Sequence, residues 1–185
     1  MNAYDFDKTI YPGDSATHFW WYCVRRHPRA VSSALRALGP LSKGLTGRLS
    51  RGDLKQALYT CLRYLPDPEK EVKTFWDGHI RRIYPWYLSR RRDDDLIISA
   101  SPAFLIEEAC RRLGVRCLAT TMDPATGRIH GENCRGEEKV RRFRTAFGSA
   151  AVEEFYSDSL SDRPMMDLAE RGYLVKNGAV VRRVE

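Results

Sequence analysis

Asp5-Phe6-Asp7-Lys8-Thr9 follows a short apolar-leaning run, Ala3-Tyr4, and leads into Ile10. The pattern reads as a buried strand stopping at a loop. Two residues apart on an extended chain, Asp5 and Asp7 share one face, and alternation sends Phe6 into the core. As the strand opens, both carboxylates can converge on a divalent cation or a phosphate. The carboxyl end of a parallel strand is where an α/β sheet places its chemistry. An acidic turn has the same local pattern, so the rest of the 185 residues must decide between them.

Leu96-Ile97-Ile98 is an apolar run ending at Ser99-Ala100-Ser101-Pro102. Pro102 opens a helix, Ala103 to Leu113, that Gly114 closes. Val115 to Met122 reads as the next strand, and the turn at Asp123 to Gly127 returns through Arg128-Ile129-His130 as a hairpin. Gly136-Glu137-Glu138-Lys139 begins a helix running to about Phe147. Glu154 to Ser157 is a strand entering Asp158-Ser159-Leu160-Ser161-Asp162. Pro164 to Arg171 reads as a short helix ended by Gly172, and Tyr173-Leu174-Val175 as a last strand. Strands alternating with helices predict an α/β fold with a doubly wound, Rossmann-like parallel sheet and right-handed crossovers.

Between the opening motif and that alternation the pattern is helical. Asp14 or Ser15 caps a helix to about Arg26, stopped by Pro28. Ala30 to Leu41 and Asp53 to Leu65 carry amphipathic stripes, and Asp67-Pro68 starts another helix whose apolar side includes Val72, Phe75 and Trp76. Four helices with no strand between them predict a four-helix bundle inserted after the first strand. The expected domains are therefore a core of 1–12 and 88–185 and a helical cap of 13–87. Arg90 to Asp95 reads as a solvated turn.

The formal charge of +7 is unevenly placed: residues 13–87 carry 13 Lys and Arg against 6 Asp and Glu, and the remainder carries 18 against 18. All four tryptophans also fall in 13–87. The five cysteines form no CxxC pair, which points to buried reduced thiols rather than disulfides or a zinc site. The four histidines lack metal-ligand spacing and are assigned no role. No apolar run reaches transmembrane length and the start of the chain is not signal-like, so the expectation is a cytoplasmic protein.

Three strand ends thus present Asp5 with Asp7, Ser99, and Asp158 with Asp162, while Lys139 starts the helix before the third. No Gly-rich phosphate loop is present. These residues resemble the four motifs of the haloacid dehalogenase superfamily, in its phosphoserine-phosphatase-like group. Asp5 to Thr9 resembles DxDx[TV], Ile97 to Ser101 a strand ending in Ser or Thr, Lys139 the third motif, and Asp158 to Asp162 the acidic fourth. The helical segment resembles the group's cap.

The resemblance implies a Mg²⁺-dependent phosphatase that hydrolyses phosphomonoesters through an aspartyl-phosphate. Asp5 would be the nucleophile and Asp7 the general acid and base. Mg²⁺ would lie on the Asp5 carboxylate, the Asp7 carbonyl and Asp158. Ser99 and Lys139 would stabilise the transferring group, with Asp162 in support. Ser99 and Asp162 also have a plainer reading as helix caps, and Lys139 as part of an exposed helix face. Asp14, Ser99 and Ala100 are the candidate substrate contacts. Asp14 falls where phosphoserine-specific relatives carry a Glu, whereas their cap arginine corresponds here to Tyr59.

An anionic phosphorylated metabolite is the expected partner. The stretch His18-Phe-Trp-Trp-Tyr22 beside Arg25 and Arg26 leaves open a lipid-phosphate phosphatase working at a membrane surface. A non-catalytic anion- or nucleic-acid-binding module is the remaining alternative, and no specific nucleic acid is expected.

Overall fold

The computed structural model describes residues 1–32 and 59–184. Among them, six strands form one sheet: β1 (Ala3–Tyr4), β2 (Leu96–Pro102), β3 (Arg116–Thr120), β4 (Glu154–Ser157), β5 (Arg171–Lys176) and β6 (Ala179–Val184). The order is β3-β2-β1-β4-β5-β6; the first five strands run parallel and β6 returns antiparallel on β5. Ala3 pairs with Leu96 on one side and Phe155 on the other. Strand order reverses at β1, which opens a crevice beyond its carboxyl end. The doubly wound core expected from the sequence is present.

The described α-helices are α1 (Ser15–Arg26), α2 (Pro68–His79), α3 (Pro85–Leu88), α4 (Ala103–Leu113), α5 (Glu137–Phe147) and α6 (Arg163–Leu168). Period-two alternation along the strands divides the core. Tyr4, Ile97, Tyr156 and Val175 join Leu105 and Ile106 of α4, Phe19 of α1 and Trp76 of α2. Ala3, Leu96, Ile98, Phe155 and Leu174 join Phe143 of α5 and Met165 and Met166 of α6.

The caps follow the sequence closely. Asp67 accepts from the Lys70 N–H at 3.0 Å with Pro68 next in line, and Gly114 takes the left-handed conformation that closes α4. Glu71 ties α1 to α2: it accepts from the Tyr22 hydroxyl at 2.7 Å and lies 3.0 Å from His27 Nε2. Trp76 Nε1 donates to the Leu105 carbonyl at 2.8 Å, anchoring α2 on α4. Most of the Ala30–Leu41 stripe lies outside the described residues. The described end of the Asp53–Leu65 stripe contains a 3₁₀ turn, Thr60–Tyr64.

Three expectations need correction. Gly172 does not stop α6, which ends at Leu168; it lies within β5, where a Cβ would stand 2.7 Å from the Met166 side chain. The strand at Tyr173–Val175 is not the last, because Asn177 and Gly178, at φ 51° and 74°, turn the chain back into β6. Asp95 is not solvated: it is fully buried, one oxygen accepts from the Arg92 N–H, and burial pushes it up to about 6. The aromatic stretch of α1 is mostly packed, with Phe19 and Trp20 buried, and only Trp21 is markedly exposed. No helix among the described residues is long and apolar enough to cross a membrane.

Candidate active site

A cavity of about 200 Å³ opens where β1, β2 and β4 end, and Asp5, Asp7, Asp14, Ser99, Ala100, Lys139, Asp158 and Asp162 all line it. The structure thus brings together every site residue expected from the sequence. β1 ends at Tyr4 and delivers Asp5, whose N–H still pairs with the Tyr156 carbonyl at 2.8 Å. Phe6 turns into the core and is fully buried. Lys8 then adopts φ 59°, a left-handed conformation uncommon for lysine, and its N–H reaches the carbonyls of Tyr11 and Gly13. This sharp turn curls the loop over the crevice.

Lys139 is the electrostatic centre. It is 1% exposed, and its Nζ donates at 2.7 Å to both Asp5 Oδ1 and Asp162 Oδ2. Burial alone would lower its pKa; the two carboxylates outweigh burial and hold the ammonium charged. Asp162 is fixed in turn by the Ser157 hydroxyl at 2.8 Å and the Gly136 N–H at 3.3 Å, and it does not cap α6 through its side chain. Its neighbour Glu138 is buried as well, paired with Arg141 and Arg142 on its own helix. The reading of this segment as an exposed helix face therefore fails.

Asp7 is held from two sides, by the Ser15 N–H at 2.7 Å and by the Ser101 hydroxyl. Its carboxyl is raised by burial first and by the Asp14 charge second. Asp14 meanwhile caps α1, accepting from the Thr17 N–H at 2.8 Å. Ser99 caps no helix; its oxygen accepts from the Ser101 N–H at 3.1 Å, and α4 starts at Ala103 after Pro102, without a side-chain cap. The Asp158 N–H donates to Thr9 Oγ1 at 2.9 Å, which joins the first and fourth motif loops. Tyr59 is buried and does not line the cavity.

Ser101, Ser157 and Thr120 have no role in the reading of the sequence. The signal for Ser101 was its place two residues after Ser99, the same spacing that relates Asp5 to Asp7. Thr120 ends β3 and links two loops: its Oγ1 accepts from the Cys134 N–H and lies 2.9 Å from the Ala100 carbonyl and 2.8 Å from Asn133 Oδ1.

Five carboxylates share the cavity lining with Lys8, Arg135 and Lys139. Five carboxylates against three cations leave the lining short of positive charge, and burial pushes Asp5 up to about 7 and raises Asp158 too. Hard oxygen donors in such a deficit suit a divalent cation such as Mg²⁺. No three His, Cys, Asp or Glu side chains among the described residues form a cage by themselves. A backbone carbonyl, waters and substrate oxygens would have to complete the shell.

The Asp5 shift sets a pH dependence for the protein in chelator. Its folded pKa of about 7 exceeds the ordinary 3.8, so the folded state holds this proton more tightly. The resulting stability is complete below the unfolded value and is lost as pH rises through about 7. The unfolding midpoint in EDTA should fall between about pH 4 and about pH 7, and Asp5→Asn should flatten that fall. Equal slopes for the two proteins would contradict the assignment.

Known proteins resemble this chain in sequence and in fold. A family profile described as haloacid dehalogenase-like hydrolase matches residues 3–167. The protein CicA of Caulobacter vibrioides is 29% identical over 194 residues, covering 95% of this chain and 86% of CicA. A Bordetella pertussis protein of unknown function superposes with a TM-score of 0.72 at 22% identity, covering 94% of this chain and 88% of that one. A phosphoserine phosphohydrolase-like protein from Francisella tularensis gives 0.55 at 15% identity, with 94% and 87% covered. With the profile spanning β1 to β4 and all four motif loops, the chain belongs to the haloacid dehalogenase-like hydrolase family.

Proposed function

We propose that the protein is a phosphatase that hydrolyses a phosphomonoester of a small metabolite through an aspartyl-phosphate intermediate. The observation carrying this reading is the buried Lys139, which bridges Asp5 and Asp162 at 2.7 Å each beside Asp7. The resemblance of the fold to a phosphoserine phosphohydrolase-like protein supports the same reaction class.

The Asp5 oxygen not engaged by Lys139 attacks phosphorus, and the bond from phosphorus to the leaving oxygen breaks. Asp7, whose raised pKa favours its protonated form, gives its proton to that oxygen. Asp7 then takes a proton from the attacking water, the bond between phosphorus and Asp5 breaks, and inorganic phosphate leaves. The Ser15 N–H and the Ser101 hydroxyl keep the Asp7 carboxyl aimed through both steps. The Ser99 hydroxyl and the Lys139 ammonium stabilise charge on the transferring group. Mg²⁺ would be held by the carboxylates of Asp5 and Asp158 and the Asp7 carbonyl, where it supplies charge neutralisation between carboxylate and phosphate.

Release of phosphate from 4-nitrophenyl phosphate and a panel of metabolite monoesters, with and without Mg²⁺, tests the proposal. Mg²⁺-dependent turnover of any of them is expected. Absence of turnover across the panel would overturn it.

A further inference from the structure

Asn133, Arg135 and Ser161 line the same cavity but have no part in the chemistry above. Arg135 is exposed and donates from Nε to Ser161 Oγ at 3.2 Å, which leaves the terminal nitrogens of its guanidinium unengaged. Other arginines nearby are neutralised: Arg141 and Arg142 by Glu138, Arg163 by Asp167. Arg135 has no ion pair among the described residues.

Its position is built rather than incidental. Gly136 adopts φ 58°, and a Cβ there would stand 3.2 Å from the Ser161 carbonyl, so the backbone after Arg135 lies against the acidic loop. The Ser161 hydroxyl is itself 2.9 Å from Ser159 Oγ. On the same wall Asn133 Oδ1 lies 2.8 Å from Thr120 Oγ1, and no hydrogen bond among the described residues engages the Asn133 amide nitrogen. Two donors, a guanidinium fork and an amide, thus remain after every catalytic partner is assigned.

We propose that this wall reads a second anionic group on the leaving side of the substrate. The natural substrates would then be phosphomonoesters that also carry a carboxylate or a second phosphate. This rests on the phosphatase reading of the site. Lys139 is already shared by two carboxylates, and the exposed Lys8 lies beside Asp158, whose pKa its charge lowers. Arg135 therefore offers the planar, bidentate match that carboxylate and phosphate groups take best.

The test uses Asp5→Asn protein with Mg²⁺ and titration calorimetry, so that binding is read without turnover. Two ligand pairs differ by one anionic group: 3-phosphoglycerate against glycerol 3-phosphate, and fructose 1,6-bisphosphate against fructose 6-phosphate. In at least one pair the doubly anionic member should bind about tenfold more tightly. The pair that shows it distinguishes a carboxylate from a second phosphate. Adding Arg135→Ala should abolish that preference, whereas Arg144→Ala, a charge change on the far side of α5 where Arg144 bonds the Gly148 carbonyl, should preserve it. Equal affinities in both pairs, no binding of any ligand, or a preference that survives Arg135→Ala would overturn the inference. Wild-type protein that turns over no ester refutes the phosphatase reading separately, because the binding comparison stands or falls without turnover.

Discussion

Asp5→Asn is expected to lower kcat by at least about 10⁴-fold on any ester the wild type hydrolyses, while leaving the protein folded. The amide has nearly the same shape, and its carbonyl oxygen can still accept from Lys139. What it lacks is the anionic oxygen that bonds to phosphorus. Loss of the covalent route removes both half-reactions together, so the effect is larger than removing a proton carrier, which costs roughly 10²- to 10⁴-fold. Steady-state rates at saturating Mg²⁺, alongside circular dichroism to establish folding, decide the matter. A variant retaining about a tenth of wild-type kcat would place the nucleophile elsewhere, since a merely positioning Asp5 would give an effect of that size.

Lys139→Met is expected to destabilise the fold by about 3–5 kcal/mol, the cost of leaving buried carboxylates without their cation. Methionine preserves most of the side-chain length, so the loss reflects charge more than volume. Asp5 and Asp162 would then face one another across the vacated position, and each would take up a proton more readily. The destabilisation should therefore shrink as pH falls, because protonated carboxyls no longer need the ammonium. Adding Asp162→Asn to Lys139→Met should recover part of the loss, and urea unfolding of the single and double variants measures the coupling. Simple additivity of the two changes would show that Lys139 and Asp162 do not act as a pair.

The two predictions rest on residues that were legible from the chain alone, and for identifiable reasons. Asp5, Ser99 and Asp158 follow apolar runs, so strand ends and polar loops could be recognised by period and punctuation. Asp67-Pro68 and Gly114 marked helix ends through capping chemistry that needs no tertiary partner. Long-range contacts left weaker traces. Asp162 and Lys139 lie 23 residues apart, and nothing local distinguishes a carboxylate that caps a helix from one that holds a buried lysine. Gly172 resembled a helix stop because its reason, the close approach of Met166, belongs to another element. The missed β6 was a different kind of error: Asn177-Gly178 is a strong local hairpin signal. The apolar run Tyr173-Leu174-Val175 looks like the end of the sheet, whereas the two turn residues that follow it specify a hairpin.

The two-residue strand β1 has a consequence for how the site comes into being. Ala3 must find Leu96 and then Phe155, so the strand that delivers Asp5 is fixed by the most distant pairings in the sheet. β5 and β6 can close locally around Asn177-Gly178 long before that. Closing large loops makes such pairings slow, and they come late in assembly. Asp5 precedes the other motif residues along the chain, yet it acquires its geometry only when the sheet closes on both sides. A partly assembled chain would thus carry all the reactive groups without their arrangement, and recovery of turnover during refolding would report completion of the whole sheet.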